Sequence, residues 1–433
     1  MIKRQVIVLL AALAVLLCGC SSNNGPDLDS LPPLETAPAV VGDDDPAFSS
    51  SETILIYQEK LSGGVLFQLY EDGRLVLSGG DLDSSIGKEK AYTDHRDSIT
   101  AIELGEGVTR IEDKALSGLT NIQTLIIGDS VETVGYSAFS DCTGLTQVEI
   151  GASLRIIGDY AFSGCTALRD INLSGAVEEV GSYCFSGCTA LKNAILGKSI
   201  VKMGHGIFND CGALSSVRIA CNVGDAVFKD CTSLESVTFE DTVTTIGSRA
   251  FNGCTALQNI SFGNGLESIG SYAFSGCTAL QSMTFPRSLT TVGSEAFSKC
   301  TSIDTVNFGD GTNLTLGSGA FSGCTALKNL DFSKASVKEI GEQAFADCSS
   351  IRVLTLSEGT EEIGEQAFYG CTGLTEVTLP KTLKKLGSKV FYGAGQLQDL
   401  YYRGTHTDWG NVKREKDWYE GAGISYVTKY GVT

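Results

Sequence analysis

The chain has 433 residues, 42% of them apolar, with 51 glycines and only 7 prolines, which is enough apolar material to bury a large core. No apolar stretch after residue 20 approaches the roughly 20 residues that a bilayer crossing needs. A formal charge of −19 predicts that the body is repelled by nucleic acid and by anionic membrane surfaces.

The N-terminus has the layout of a secretory signal: Lys3 and Arg4, an apolar run from Val6 to Leu17, then "LCGC". That tetrapeptide resembles the lipobox of bacterial lipoproteins, which implies that Cys20 is diacylated through sulfur and becomes the mature N-terminus. Loss of Lys3 and Arg4 with the leader takes the formal charge from −19 to −21. From Ser21 to about Ser50 the chain is rich in Ser, Pro, Asp and Gly, so a disordered tether is expected, reaching roughly 30 Å from the membrane. Residues 65 to 80, "VLFQLYEDGRLVLSGG", read as a β-hairpin turning at Asp72-Gly73.

Beyond the hairpin a fixed period dominates the chain. The eight letters "AFSGCTAL" stand at 161 to 168, 273 to 280 and 320 to 327. Eleven cysteines from Cys142 to Cys371 recur every 23 residues, with one step of 20 and two of 24. Leu257, Ile260 and Phe262 in "CTALQNISFGNGLESIGSYAFSG" form an L-x-x-I-x-F strand, and Leu266 to Ile269 is a second short extended segment ended by Gly270. Nothing in the unit is long enough for a helix. One such coil cannot bury its apolar side alone, but stacking at about 4.8 Å turns every apolar position into a ladder. Twelve phenylalanines from Phe139 to Phe391 form one ladder. Glycines from Gly135 to Gly387 form another, at corners that need positive φ or close backbone approach. The fold class is therefore a mainly β repeat solenoid of about 14 coils, roughly 65 Å long.

L-x-x-I-x-F followed by L-x-x-I-G-x-x-A-F-x-G-C resembles the BspA-like, or Treponema-type, leucine-rich repeats of bacterial surface proteins. The likeness covers about residues 99 to 402. The hairpin resembles the segment preceding these repeats in the family, and "LYYRGTHTDWGNV" its closing unit. The expected organisation is then a leader (1–19), lipidated Cys20 with its tether (20–50), an N-terminal β cap (51–98), the solenoid (99–402) and a C-terminal cap (403–433). Caps are needed because each end of a stack exposes a raw apolar layer. Taken with the lipobox-like leader, the resemblance implies a lipid-anchored protein at the cell surface. It would adhere to extracellular or host protein, or capture polysaccharide. The alternative is a scaffold that assembles partners at the cell's own envelope.

The cysteines are read first as buried free thiols filling a small apolar slot before each strand. An odd number in a linear row opposes full disulfide pairing, and no histidine stands beside the row to complete a zinc site. Cys184 replaces the alanine of "AF", while Cys221 sits in the shortened coil and is the more available thiol. So many unpaired cysteines suit a reducing or anaerobic habitat. His95, His205 and His406 are far apart along a one-dimensional stack, so no triad is expected, nor any enzyme activity or cofactor. Asp310 and the "DDD" at 43 to 45 read as turn and linker rather than calcium ligands.

Two exposed stripes remain. The central outward residue of successive strands is Arg218, Thr238, Ser261, Thr284, Asn307, Asp331, Thr355 and Thr378, ending at Tyr401. Such a stripe could hydrogen-bond a glycan or protein, or simply suit exposed strands. Tyr160, Tyr183 and Tyr272, with Tyr136 nearby, form either an aromatic platform or a self-stacked row. The 20-residue coil from Cys211 is expected to change the curvature.

Overall fold

The computed structural model describes residues 53–309, 313–332, 335–424 and 426–432. The leader, Cys20, the tether, the 43–45 acidic run and Asp310 lie outside them, as does the side chain of Asp331. Thr53 to the C-terminus forms one compact unit.

The hairpin forms where "EDGR" predicts it. Strand β2 (Leu66–Tyr70) pairs antiparallel with β3 (Arg74–Ser78), and Gly73 turns between them at φ 83°. A further strand, β1 (Leu55–Lys60), pairs antiparallel with β2. β3 then pairs in parallel with β4 (Ala101–Leu104), so the hairpin starts the stack directly.

From β4 to Asp399–Tyr402 there are fourteen first-face strands, one per coil. Each runs parallel to its neighbour within a group, and its alternate residues point inward. The two-residue second segments, such as Thr245–Ile246 and Ser268–Ile269, stack into a second parallel sheet. At the C-terminus, Lys413–Arg414 extends the second face and Lys429–Tyr430 the first, after a short helix (His406–Asn411). Trp418 meets the last ring of the phenylalanine row edge-on at 6.4 Å and so closes the core.

The octapeptide is neither helix nor strand, yet it is hydrogen-bonded from coil to coil. The amides of Tyr160, Phe162 and Gly164 donate to Ser182, Cys184 and Ser186 carbonyls of the next coil at 2.9, 2.8 and 2.8 Å. Alternate amides face the neighbour because two residues per coil are left-handed. One is the residue before the cysteine, Gly164 at φ 76°. The other lies two before the phenylalanine and is left-handed in every coil from Lys114 to Lys389, including Tyr160 at 57°, Tyr183 at 56° and Tyr272 at 59°. A side chain there costs about 1–2 kcal/mol of backbone strain, which the inter-coil ladder offsets. The glycine row at the end of the second segment serves close approach instead: a Cβ on Gly181 would lie 2.3 Å from the Asp159 amide nitrogen.

Phenylalanine rings stack face to face along the core, centroids 5.0–5.9 Å apart and planes within 15°. Beside them runs the cysteine row. All thirteen cysteines of the described residues are buried and unpaired. Each of the eleven repeat thiols donates to the phenylalanine-position carbonyl of the preceding coil, Sγ to O 3.1–3.4 Å. The Phe162 carbonyl thus accepts from Cys165 N at 3.2 Å and from Cys188 Sγ at 3.3 Å. Small volume, apolar character and one weak donor are what this slot requires, and cysteine combines them.

The shortened coil leaves the first face intact: Ile195, Arg218, Thr238 and Ser261 stay in register across it. The interruption falls on the second face. That sheet stops at Lys202–Met203 and resumes at Thr245–Ile246, with an isolated Val223–Ile246 bridge between. Asn222 repairs the gap. In a regular coil the amides of Glu178 and Glu179 share the Arg155 carbonyl, whereas those of Thr244 and Thr245 share Asn222 Oδ1 at 2.8 and 3.0 Å. Asp81 does the same at the start of the stack, accepting from the Thr109 and Arg110 amides, and its hydrogen bonds with Thr109 hold its carboxyl below the usual range.

Candidate binding faces

The first-face stripe is real as a register. Arg218, Thr238 and Ser261 are direct partners, as are Thr284, Asn307 and Asp331, and then Thr355, Thr378 and Tyr401. Ser261, Thr284, Asn307 and Thr355 are exposed and Thr238 is half-buried. Arg218 is held by Glu240 at 2.9 Å, so its charge is already matched. Thr378 departs from the expectation: it is 9% exposed and not available to a partner. Tyr401 stands in register beside it, and same-face neighbours about 4.8 Å apart let the larger ring shield the smaller side chain.

The stripe is also not continuous. Among the described residues the first face divides after Gln147–Ile150, after Asn259–Ser261 and after Asn329–Asp331. At the first division the inward residues Val148 and Ile150 are only half-buried, and a groove of about 540 Å³ opens between Gln147 and Asp170. At the last, Asn329, Leu330 and Val353 line a groove of about 510 Å³.

The tyrosines resolve into two groups. Tyr160 and Tyr183 stack at 5.2 Å and 18°, Tyr136 meets Tyr160 edge-on at 5.8 Å, and His205 closes the row against Tyr183 at 5.7 Å. Their faces are spent on one another, which leaves edges and hydroxyls outward rather than an open platform. Tyr272 does not join them: it bonds Glu295 at 2.8 Å and lies under Arg249. Spacing alone does not assign His205 to the row. It stands three residues before Phe208, whereas Tyr160 and Tyr183 stand two before their phenylalanines, and Gly206 occupies the tyrosine place in that coil.

The other histidines pack on tyrosines elsewhere, His95 on Tyr57 at 4.5 Å and His406 on Tyr430 at 5.1 Å. Among the described residues no group of three His, Cys, Asp or Glu side chains is placed to hold a metal ion, and no helix is long and apolar enough to cross a membrane. Cys221 is not an available thiol: it is 5% exposed, and burial pushes its pKa up to about 12. It lines the notch that the shortened coil leaves, together with Val201, which is 83% exposed.

A parallel two-faced coil with an L-x-x-I-x-F strand and a buried phenylalanine row defines a leucine-rich repeat solenoid. The sequence matches the BspA type leucine rich repeat region in six copies, over residues 85–215, 221–315 and 310–412, so the chain belongs to that family. It is similar to a leucine-rich repeat protein from Bacteroides ovatus, with 25% identity, TM-score 0.53, and coverage of 78% of this chain and 92% of that one. It is also similar to a leucine-rich repeat protein from Eubacterium ventriosum (22% identity, TM-score 0.42, coverage 86% and 96%). A leucine rich cell surface protein from Faecalibacterium prausnitzii aligns at 19% identity and TM-score 0.31, covering 82% and 97%. The comparison with curated proteins finds no match.

Proposed function

We propose that the protein is a surface lipoprotein, anchored through Cys20, whose solenoid binds an extracellular protein or glycan. The supporting observation is the centre of the first face: Ser261, Thr284 and Asn307 are exposed and uncharged in a chain of formal charge −19. Outward residues without charge on the two sides of the division after Ser261 let a partner approach without the repulsion that acidic surface exerts. Leucine-rich repeat solenoids are scaffolds for binding, and the lipobox-like "LCGC" ending at Cys20 supports an outward location.

An array of glycans and extracellular proteins probed with the purified protein tests this reading. A ligand should be retained, and Thr238→Glu, Ser261→Glu and Thr284→Glu together should weaken it at least about tenfold, with each exposed substitution changing stability by only about 0.5 kcal/mol. Recovery of the producing cell's own envelope proteins alone would replace adhesion with assembly.

A further inference from the structure

The overall charge conceals a pole of opposite sign. Residues 380–416 carry eight lysines and arginines against three carboxylates, a net +5, in a chain of −19. Four of these lysines, Lys381, Lys384, Lys385 and Lys413, line one groove of about 600 Å³ where the last second-face strands meet the closing coil.

Its acidic lining is Glu362 and Asp408, so the groove is net positive. Lys381 reaches Asp408 at 3.9 Å, Lys384 reaches Glu361 at 2.9 Å and Lys385 reaches Glu362 at 3.3 Å. Lys413 has no carboxylate within ion-pair distance among the described residues, and it is exposed. The register makes this costly. Glu179 pairs in register with Lys202, and Glu362 with Lys385, but the other neighbour of Lys385 in register is Lys413. Like charges in register repel, and an anion lying along the groove would remove the repulsion.

We propose that this groove binds an extended acidic glycan bearing carboxylate or sulfate groups. Lys385 and Lys413 are one coil apart, about 4.8 Å, close to the length of one sugar residue, and Lys381 and Lys384 precede Lys385 along its own coil. The amide of Asn411 in the lining supplies a partner for sugar hydroxyls. Duplex nucleic acid fits less well, since its dense charge would meet the acidic remainder of the surface. The groove lies apart from the first-face stripe, so the two readings fail separately.

The test uses the full chain in detergent micelles. Heparin supplies the sulfated arm, polygalacturonate the carboxylated arm, and dextran the uncharged control. At least one anionic arm should bind, dextran should not, and raising the salt from about 50 to 200 mM should weaken binding roughly tenfold. Lys384→Gln, Lys385→Gln and Lys413→Gln together should weaken it at least about tenfold, while the corresponding arginine triple should bind as the wild type does. Lys413→Gln alone breaks no ion pair, so a loss there, about threefold, reads the site even where the triple folds poorly. Lys198→Gln with Lys202→Gln, coils away, should change nothing. Failure of both anionic arms, equal binding of dextran, unchanged affinity in the lysine variants, or equal capture of duplex DNA through the same lysines would overturn the proposal.

Discussion

Raising the pH above 9 is expected to unfold the solenoid and ionise its cysteines in one step. Burial pushes the thiols of Cys211, Cys300 and Cys371 up to about 12 from an ordinary value of 9, and those of Cys188, Cys231, Cys277, Cys324 and Cys348 well above it. The neighbouring Cys142 thiol, ahead of burial, likewise holds the Cys165 thiol well above that ordinary value. The unfolded chain loses these protons first, so the folded chain holds more protons above pH 9 and stability falls as the pH rises. It is fully present below pH 9 and is lost toward pH 12. At about pH 10 each thiol contributes destabilisation on the order of 1 kcal/mol, and the row together reaches on the order of 10 kcal/mol, comparable to the whole stability of many domains. Thiolate absorbance and the β circular dichroism signal followed together against pH check this. Thiolate appearing near pH 9 with the fold intact would contradict it.

The second large effect is expected at the aromatic core. Phe274 stacks on Phe251 at 5.0 Å and on Phe297 at 5.1 Å, and its side chain is fully buried. Phe274→Ala removes both contacts and opens a cavity that neighbouring coils, pinned by their own ladders, cannot fill. The cost should be about 3–5 kcal/mol, with about 0.5–1.5 kcal/mol more for each stacked pair. Because each coil rests on its neighbours alone, the loss should spread, broadening urea unfolding as coils on the two sides uncouple. A midpoint and slope like those of the wild type would show that the row is not what holds the stack together.

The coil was legible because its chemistry repeats. Phe162, Cys165 and Leu168 recur with the same neighbours, so stacking coil on coil in one register buries them all. The turn at Asp72-Gly73 was equally clear, since glycine there marks the left-handed corner. Other features have no letter of their own. Nothing in the residues of Gln147–Ile150 or Asp170–Leu173 announces that these strands part, because the division depends on how one coil tilts on the next. Tyr160 sits in a conformation that glycine or asparagine normally marks, so local preference points away from it and only the inter-coil amide ladder imposes it. Asn222 reads as an ordinary turn residue until the missing carbonyl beside it is seen.

The proposed binding stripes were legible as positions but not as surfaces. Spacing placed Thr378 and Thr355 correctly in register, yet exposure depends on the neighbouring side chain, and Tyr401 decides it. Tyr272 shares its place in the repeat with Tyr160, but it stands four coils on from Tyr183 and lies against Arg249 instead. The basic groove escaped a reading based on total charge because Lys385 and Lys413 are joined only by the register of the closing coil.

The repeated cysteine is scaffold, a thiol donor buried inside the stack, which leaves the residues that vary between coils as the proposed recognition surface. A thiol count on the unreduced protein tests this most directly. In the folded state the thirteen described cysteines should be almost wholly unreactive, and denaturation without reductant should release all thirteen. Intact disulfides after denaturation, or rapid labelling of the folded row, would contradict the account.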